Sequence, residues 1–248
     1  MSTTVIKKHL PTLAVILGSV IVCLRYFGDI ISDPTRFLFG AGDGIKNYYS
    51  VIYQVIHGEG WHFGGMLYPY GDGLTFADGQ PVLTFIFKFF FEPSVANGSS
   101  LIGSMNLIMI LGLIVTALLI HAILKKALVP SWFALPFAIL IAFMSPQIQR
   151  FTGHYALAYT FFIPALWLFV IKLFQDKRKW FWCCSMILTI VLFSLNQPYF
   201  LLISVAFTGT ILLFDIIRVL FLKGKPDNWP RLLLAIVIPV LVMLLYNN

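Results

Sequence analysis

The hydrophobic positions of this chain fall into long blocks separated by short polar links. Apolar runs occupy 10–28, 100–124, 128–145, 156–174, 180–195, 199–222 and 231–246. A helix needs roughly 20 mostly apolar residues to cross the hydrocarbon of a bilayer. The pattern therefore predicts an all-α membrane protein of about seven transmembrane helices, forming a single transmembrane domain over 1–248. The stretch from Trp180 to Ile217 is too long for one crossing at about 1.5 Å per residue. A tight turn at Asn196–Tyr199 is expected to split it.

One connection breaks the rhythm. Residues 29–98 form a first loop far longer than the others, and a loop of that size usually carries function or structure of its own. Within it, Ile45, Tyr48, Tyr49, Ile52 and Ile56 recur at helical spacing, while Lys46, Asn47, Ser50 and Gln54 fall mainly on the other side. This spacing predicts an amphipathic helix over 44–57 that lies on the membrane surface or packs on the bundle. The run "PVLTFIFKFFFEP" is short for a span and holds Lys88, so a second interfacial or re-entrant helix is expected there.

Composition agrees with the pattern. Of 248 residues, 59% are apolar and 11% charged, against about 25% charged in soluble domains. Net charge is +7, but its placement argues against nucleic acid. With the N-terminus in the cytoplasm, twelve of the 17 Lys and Arg fall on inner segments, leaving Arg25, Arg36, Lys46, Lys88 and Arg150 outside. That is the positive-inside distribution, and inner basic residues also favour anionic lipid headgroups. The first apolar run lacks a clear small-residue cleavage site, so a retained span is expected rather than a signal peptide. Cys23, Cys183 and Cys184 all lie in spans, which predicts neither a disulfide framework nor a zinc site.

Candidate chemistry gathers in the predicted outer segments. Asp43, in "GAGDGIKN", stands where a helix cap would and could also offer a carboxylate at the outer face. Asp72 and Asp78, in "YPYGDGLTFADGQP", suit turns or sugar binding. His57, Glu59 and His62 cluster in "HGEGWH", but Gly58 and Gly60 loosen any metal geometry. Trp61, Phe63, Tyr68 and Tyr70 suit an interfacial aromatic belt or sugar stacking. Arg150 and His154, in "SPQIQRFTGHYAL", could snorkel and cap, or grip a phosphate with a planar fork of donors beside an imidazole. Asn196 and Gln197 could add neutral hydrogen bonds. Asn97–Ser99 reads as a glycosylation sequon. No nucleotide-phosphate loop, nucleophile elbow or His-Glu-x-x-His is present.

This layout resembles the GT-C superfamily of integral-membrane glycosyltransferases. The matching pieces are "GAGDGIKNYY" after the first span, the two surface-helix runs, and the plan of seven spans with short links. "LYPYGDGLTFADGQPVLTF" is also similar to the first loop of uncharacterised bacterial members. The resemblance implies a polyprenyl-phosphate-linked sugar donor, an extracytoplasmic acceptor (lipid, glycan or protein), and a bacterial inner or plasma membrane. It places the first-loop acid on Asp43, with a second acid coming from Asp72 or Asp78, and leaves room for a divalent cation. Members are commonly longer, so a truncated, split or inactive form is a further expectation. The competing classes are a multi-span transporter or lipid-handling protein, for which Pro136, Pro164 and Pro239 interrupt spans, and a non-catalytic glycosyltransferase remnant.

Overall fold

The computed structural model describes residues 3–38, 42–91, 97–222 and 228–246. Seven helical stretches among them are long and apolar enough to cross a membrane: His9–Ser32, Gly98–Lys126, Ser131–Thr152, Tyr155–Gln175, Lys179–Asn196, Tyr199–Phe221 and Trp229–Tyr246. These match the apolar blocks of the sequence one for one. The chain is an all-α integral membrane protein. Lys223 and Lys225, counted above among the inner basic residues, lie outside the described residues.

In chain order the helices are α1 (Thr3–Ser32), α2 (Asp43–Ile56), α3 (Pro81–Phe90), α4 (Gly98–Lys126), α5 (Ser131–Phe143), α6 (Phe162–Gln175), α7 (Lys179–Asn196), α8 (Tyr199–Leu222) and α9 (Trp229–Tyr246). A two-residue ribbon pairs β1 (His62–Phe63) with β2 (Asp72–Gly73), antiparallel, Phe63 opposite Asp72. Between α5 and α6 the chain makes two 3₁₀ turns, Pro146–Thr152 and Tyr155–Leu157. The predicted turn after Asn196 is present: α7 stops there, and Pro198, which cannot donate to a continuing helix, separates it from α8.

Two groups of spans form the bundle. In the first, α1 and α4 pack on α5 around Val15, Ala117, Ile120, Ala138 and Ala142. Ala134, Ala138 and Ala142 recur every four residues on the buried side of α5, and small side chains of this kind let helices approach closely in lipid. The second group joins α6, α7, α8 and α9 around Phe162, Leu166, Met186, Ile190, Phe200 and Leu232. α4 also packs against α6 and connects the two. Outward faces carry exposed Leu17, Leu24, Trp132, Leu202 and Phe214, as hydrocarbon-facing surfaces should.

The first loop folds onto one end of this bundle. Both expected helices are there, as α2 and α3, but α2 buries a different face from the one its spacing suggests. Ile45 and Tyr49 are exposed, whereas Asn47, Ser50 and Gln54 are fully buried beside Tyr48, Val51 and Val55. The physical reason is that α2 is covered by more than one neighbour: it meets α3, α4 and the 146–157 turns. Its polar side chains serve as fasteners. Asn47 donates to the carbonyls of Asp43 and Gly153, 2.8 Å each. Gln54 donates to the carbonyls of Gly60 and His62 at 3.0 and 3.1 Å. Gly58 lies so close that a Cβ would sit 2.0 Å from the Gln54 amide oxygen.

A buried polar knot ties α2 to α4. The Tyr48 hydroxyl donates to Asn106 and accepts from the Leu38 N–H, while the Asn106 amide donates to the carbonyls of Pro34 and Arg36. Burial raises the pKa of the Tyr48 phenol, so it stays neutral as a donor. Farther along, Thr75 meets the Leu195 carbonyl and the Tyr246 hydroxyl, both at 2.9 Å. The Val82 N–H donates to Asn196, and Tyr159 donates to Gln80. Phe63 is fully buried with Leu74 and Ala77 rather than at an aromatic belt, and Trp61 packs edge-on against Phe85 and Tyr246. Tyr68 and Tyr70 are exposed.

Candidate functional site

A cavity of about 880 Å³ opens where the first loop, the 145–157 segment and the α7–α8 turn meet. Its polar lining includes Asp43, Lys46, Asp78, Gln147, Arg150, His154 and Gln197; Phe76, Leu157, Ile163, Phe200 and Ile203 supply an apolar wall. Four of the five residues singled out in the sequence converge here although they come from three separate segments. Asp72 is the exception. It sits in the β1–β2 ribbon, where its carboxylate accepts from the Gly73 N–H at 2.7 Å, and it does not line the cavity.

Asp43 opens α2 as its first residue instead of capping it. The preceding residue is Gly42, at φ 53°, and no side chain caps the helix. A positive φ of this size suits glycine. The consequence is a carboxylate left free of the helix N–H groups. His154 Nε2 stands 3.8 Å from Asp43 Oδ2, an ion pair when the imidazole is protonated. Gly153 packs beside Asp43, and the Asn47 side chain joins the two segments by bonding the carbonyls of both Asp43 and Gly153. The Gly153 and His154 N–H groups both bond the Arg150 carbonyl, which brings Arg150 and His154 to the same side of the turn.

Asp78 is held differently. Lys46 Nζ is 2.9 Å from one of its oxygens, and the Gln197 amide donates to the other at 3.3 Å. The two carboxylates of the cavity are thus unequal. Asp78 is engaged with an ammonium group one helical turn beyond Asp43, whereas Asp43 faces only an imidazole at longer range. Arg150 makes no ion pair among the described residues, so its guanidinium remains available to an anion.

A second groove, of about 480 Å³, adjoins the first and shares Ser145, Pro146, Gln147 and Ile163 with it. Ile120, Phe137, Leu140, Ile141 and Met144 make it almost wholly apolar. It runs from the polar cavity along α4, α5 and α6.

A family model described as a domain of unknown function, DUF6311, matches residues 15–247. The chain belongs to the DUF6311 family. The match takes in most of the first span, the other six spans and the cavity, so the arrangement described above is that of a DUF6311 domain. No curated protein and no solved structure matches the chain.

A divalent cation fits this site poorly. Among the described residues no three His, Cys, Asp or Glu side chains gather in a way that could hold a metal, and Asp78 already faces an ammonium group. His57, Glu59 and His62 likewise form no such group. Sequence reasoning missed Lys46 as the counter-charge of Asp78, and missed Phe76 and Tyr199 at the cavity wall. Lys46 stands at i+3 from Asp43, a spacing that puts both on one helix face. Phe76 and Tyr199 carried no local signal.

Proposed function

We propose that this protein is a membrane glycosyltransferase that moves a sugar from a polyprenyl-phosphate donor to an extracytoplasmic acceptor. The observation that carries this reading is the junction of a polar cavity, holding one unengaged carboxylate beside Arg150 and His154, with an apolar groove running down the bundle. A lipid-linked phosphosugar has the same two halves. Its sugar and phosphate suit the polar cavity, and its prenyl chain suits the groove between α4, α5 and α6.

In the proposed single displacement, Asp43 takes the proton of the acceptor hydroxyl as that oxygen bonds to the anomeric carbon. The bond from that carbon to the donor phosphate oxygen breaks, and the electron pair leaves with the phosphate. The transition state resembles an oxocarbenium ion. The Arg150 fork and the His154 imidazole stabilise the phosphate as negative charge collects there. No separate acid is required, because a phosphate leaves as its anion. Asp78 orients Lys46 and Gln197 toward the sugar and does not accept the proton. The mechanism assigns no step to Asp72 or to a metal ion.

The test uses the full chain in neutral-lipid nanodiscs with a panel of labelled polyprenyl-phosphate sugars. Consumption of at least one donor is expected. General-base removal commonly costs about 10²–10⁴ in rate, so Asp43→Asn should lose transfer by that amount while keeping its melting profile. Undiminished transfer by a well-folded Asp43→Asn chain removes Asp43 from the mechanism. Consumption of no donor across the panel, with labelled substrate instead crossing sealed vesicles, would favour a transporter.

A further inference from the structure

The end of the bundle opposite the cavity carries a second polar feature. α4 enters at Gly98 beside the first loop and finishes at Lys126, so Lys126 marks the far end. There, between the last turns of α4 and α6 and the start of the following link, lies a crevice of about 210 Å³ lined by Lys126, Lys172, Gln175, Asp176 and Lys177. It is polar, unlike the grooves along the spans. Its three ammonium groups outnumber its single carboxylate.

That carboxylate is tied down by its own neighbours and, among the described residues, pairs with none of the three lysines. Asp176 accepts from the Arg178 N–H at 3.0 Å, and this bond, ahead of nearby cations, holds its pKa below the usual range. Lys172 is set in place by Trp182, whose ring lies 5.3 Å from its Nζ. Lys126, Lys172 and Lys177 make no salt bridge among the described residues. Neighbouring elements add further positive charge: Lys125 on α4, which donates to Ser131, and Arg178 and Lys179 at the start of α7. Lysines in the last turn of a helix also complement its dipole. That role explains Lys126 and Lys172 singly but not their convergence with Lys177 and Gln175 around one recess.

We propose that Lys126, Lys172, Gln175 and Lys177 form a phosphate-binding crevice at the spans' inner end, separate from the large cavity. Its ligand is a phosphate monoanion or diester, supplied by an anionic lipid headgroup or by free phosphate. Ammonium donors and a side-chain amide recognise phosphate oxygens by charge-assisted hydrogen bonds, and the position at the ends of two spans is the level of lipid headgroups.

The test is native mass spectrometry of the full chain released from detergent containing phosphatidylglycerol or phosphatidylcholine, with inorganic phosphate as competitor and as sole ligand. Wild type should retain phosphatidylglycerol, or phosphate, saturably at one per chain. The double variant Lys126→Gln, Lys177→Gln should bind about thirtyfold more weakly, and Lys126→Arg, Lys177→Arg should restore binding. Lys125→Gln with Arg178→Gln removes equal charge beside the crevice but no ammonium that lines it, and should weaken binding several-fold less than the crevice variant does. Retention of the lipid without displacement by phosphate identifies a headgroup ligand; binding of phosphate with no lipid preference identifies free phosphate. An equal loss in the control variant, or wild type taking up neither ligand above phosphatidylcholine, overturns the proposal.

Discussion

The two short helices of the first loop, α2 and α3, have opposite characters. α2 turns polar side chains inward: Asn47, Ser50 and Gln54 are buried, while Ile45 and Tyr49 face out. α3 turns aromatic rings outward: Phe89 and Phe90 are 83% and 74% exposed, while Thr84 is buried and bonds the Gly79 carbonyl. In α2, side-chain amides fasten neighbouring backbone in place, and that fastening presents Asp43. In α3 the outward rings suit a lipid boundary. Amphipathic spacing is thus a guide to which residues share a face, and the cover laid over the helix decides which face is inside.

The sharpest way to break this contrast is Asn106→Leu. It removes the partner of the buried Tyr48 hydroxyl, at about 1–3 kcal/mol, together with two part-buried bonds to the Pro34 and Arg36 carbonyls and the fit of the Asn106 amide. A stability loss of about 3 kcal/mol or more in a detergent unfolding titration is expected. If Asn106→Leu unfolds with wild type, buried polar fastening does not hold α2. Gln54→Ala should come next, at about 1–2 kcal/mol, accompanied by faster proteolysis between residues 57 and 80. Unchanged cleavage there would mean that the ribbon stands without Gln54.

Lys88 probes the contact between the two helices' ends, since its ammonium donates to the Gly58 carbonyl at 2.6 Å. Burial lowers its pKa from 10.5, outweighing the opposing influence of Glu59. The folded chain therefore gives up this proton at lower pH than the unfolded chain does. Stability from this group should rise as pH climbs through the lowered value toward 10.5, and Lys88→Met should remove that rise. The smallest effect is expected for Phe89→Ser with Phe90→Ser, at about 0.5 kcal/mol or less in detergent. A large loss would show that α3's outer face is covered by protein.

Most of the spans were legible because each hydrophobic block states its own length, and lipid imposes the same rule on all of them. The helices of the first loop were legible in place but not in orientation. Nothing local to Asn47 or Gln54 reveals that Gly153 or Gly60 will sit against it. The site divides in the same way. Asp43, Asp78, Arg150 and His154 could be named from residue chemistry and their positions between spans. Their convergence, the engagement of Asp78 by Lys46 and Gln197, and the exclusion of Asp72 depend on contacts spanning tens of residues or more. Asp72 and Asp78 each precede a glycine in turn-rich sequence, and only the packing separates them.

The bond between Thr75 and Tyr246 has a bearing on biosynthesis. Thr75 is made early and Tyr246 lies 171 residues later. Spans entering the bilayer in order would supply Leu195 with the fifth crossing, Tyr199, Phe200 and Ile203 only with the sixth, and the Tyr246 hydroxyl that completes the clasp on Thr75 only with the seventh. The first-loop lobe must therefore wait, half-assembled, until the closing helix arrives, and its pocket is among the last parts of the molecule to mature.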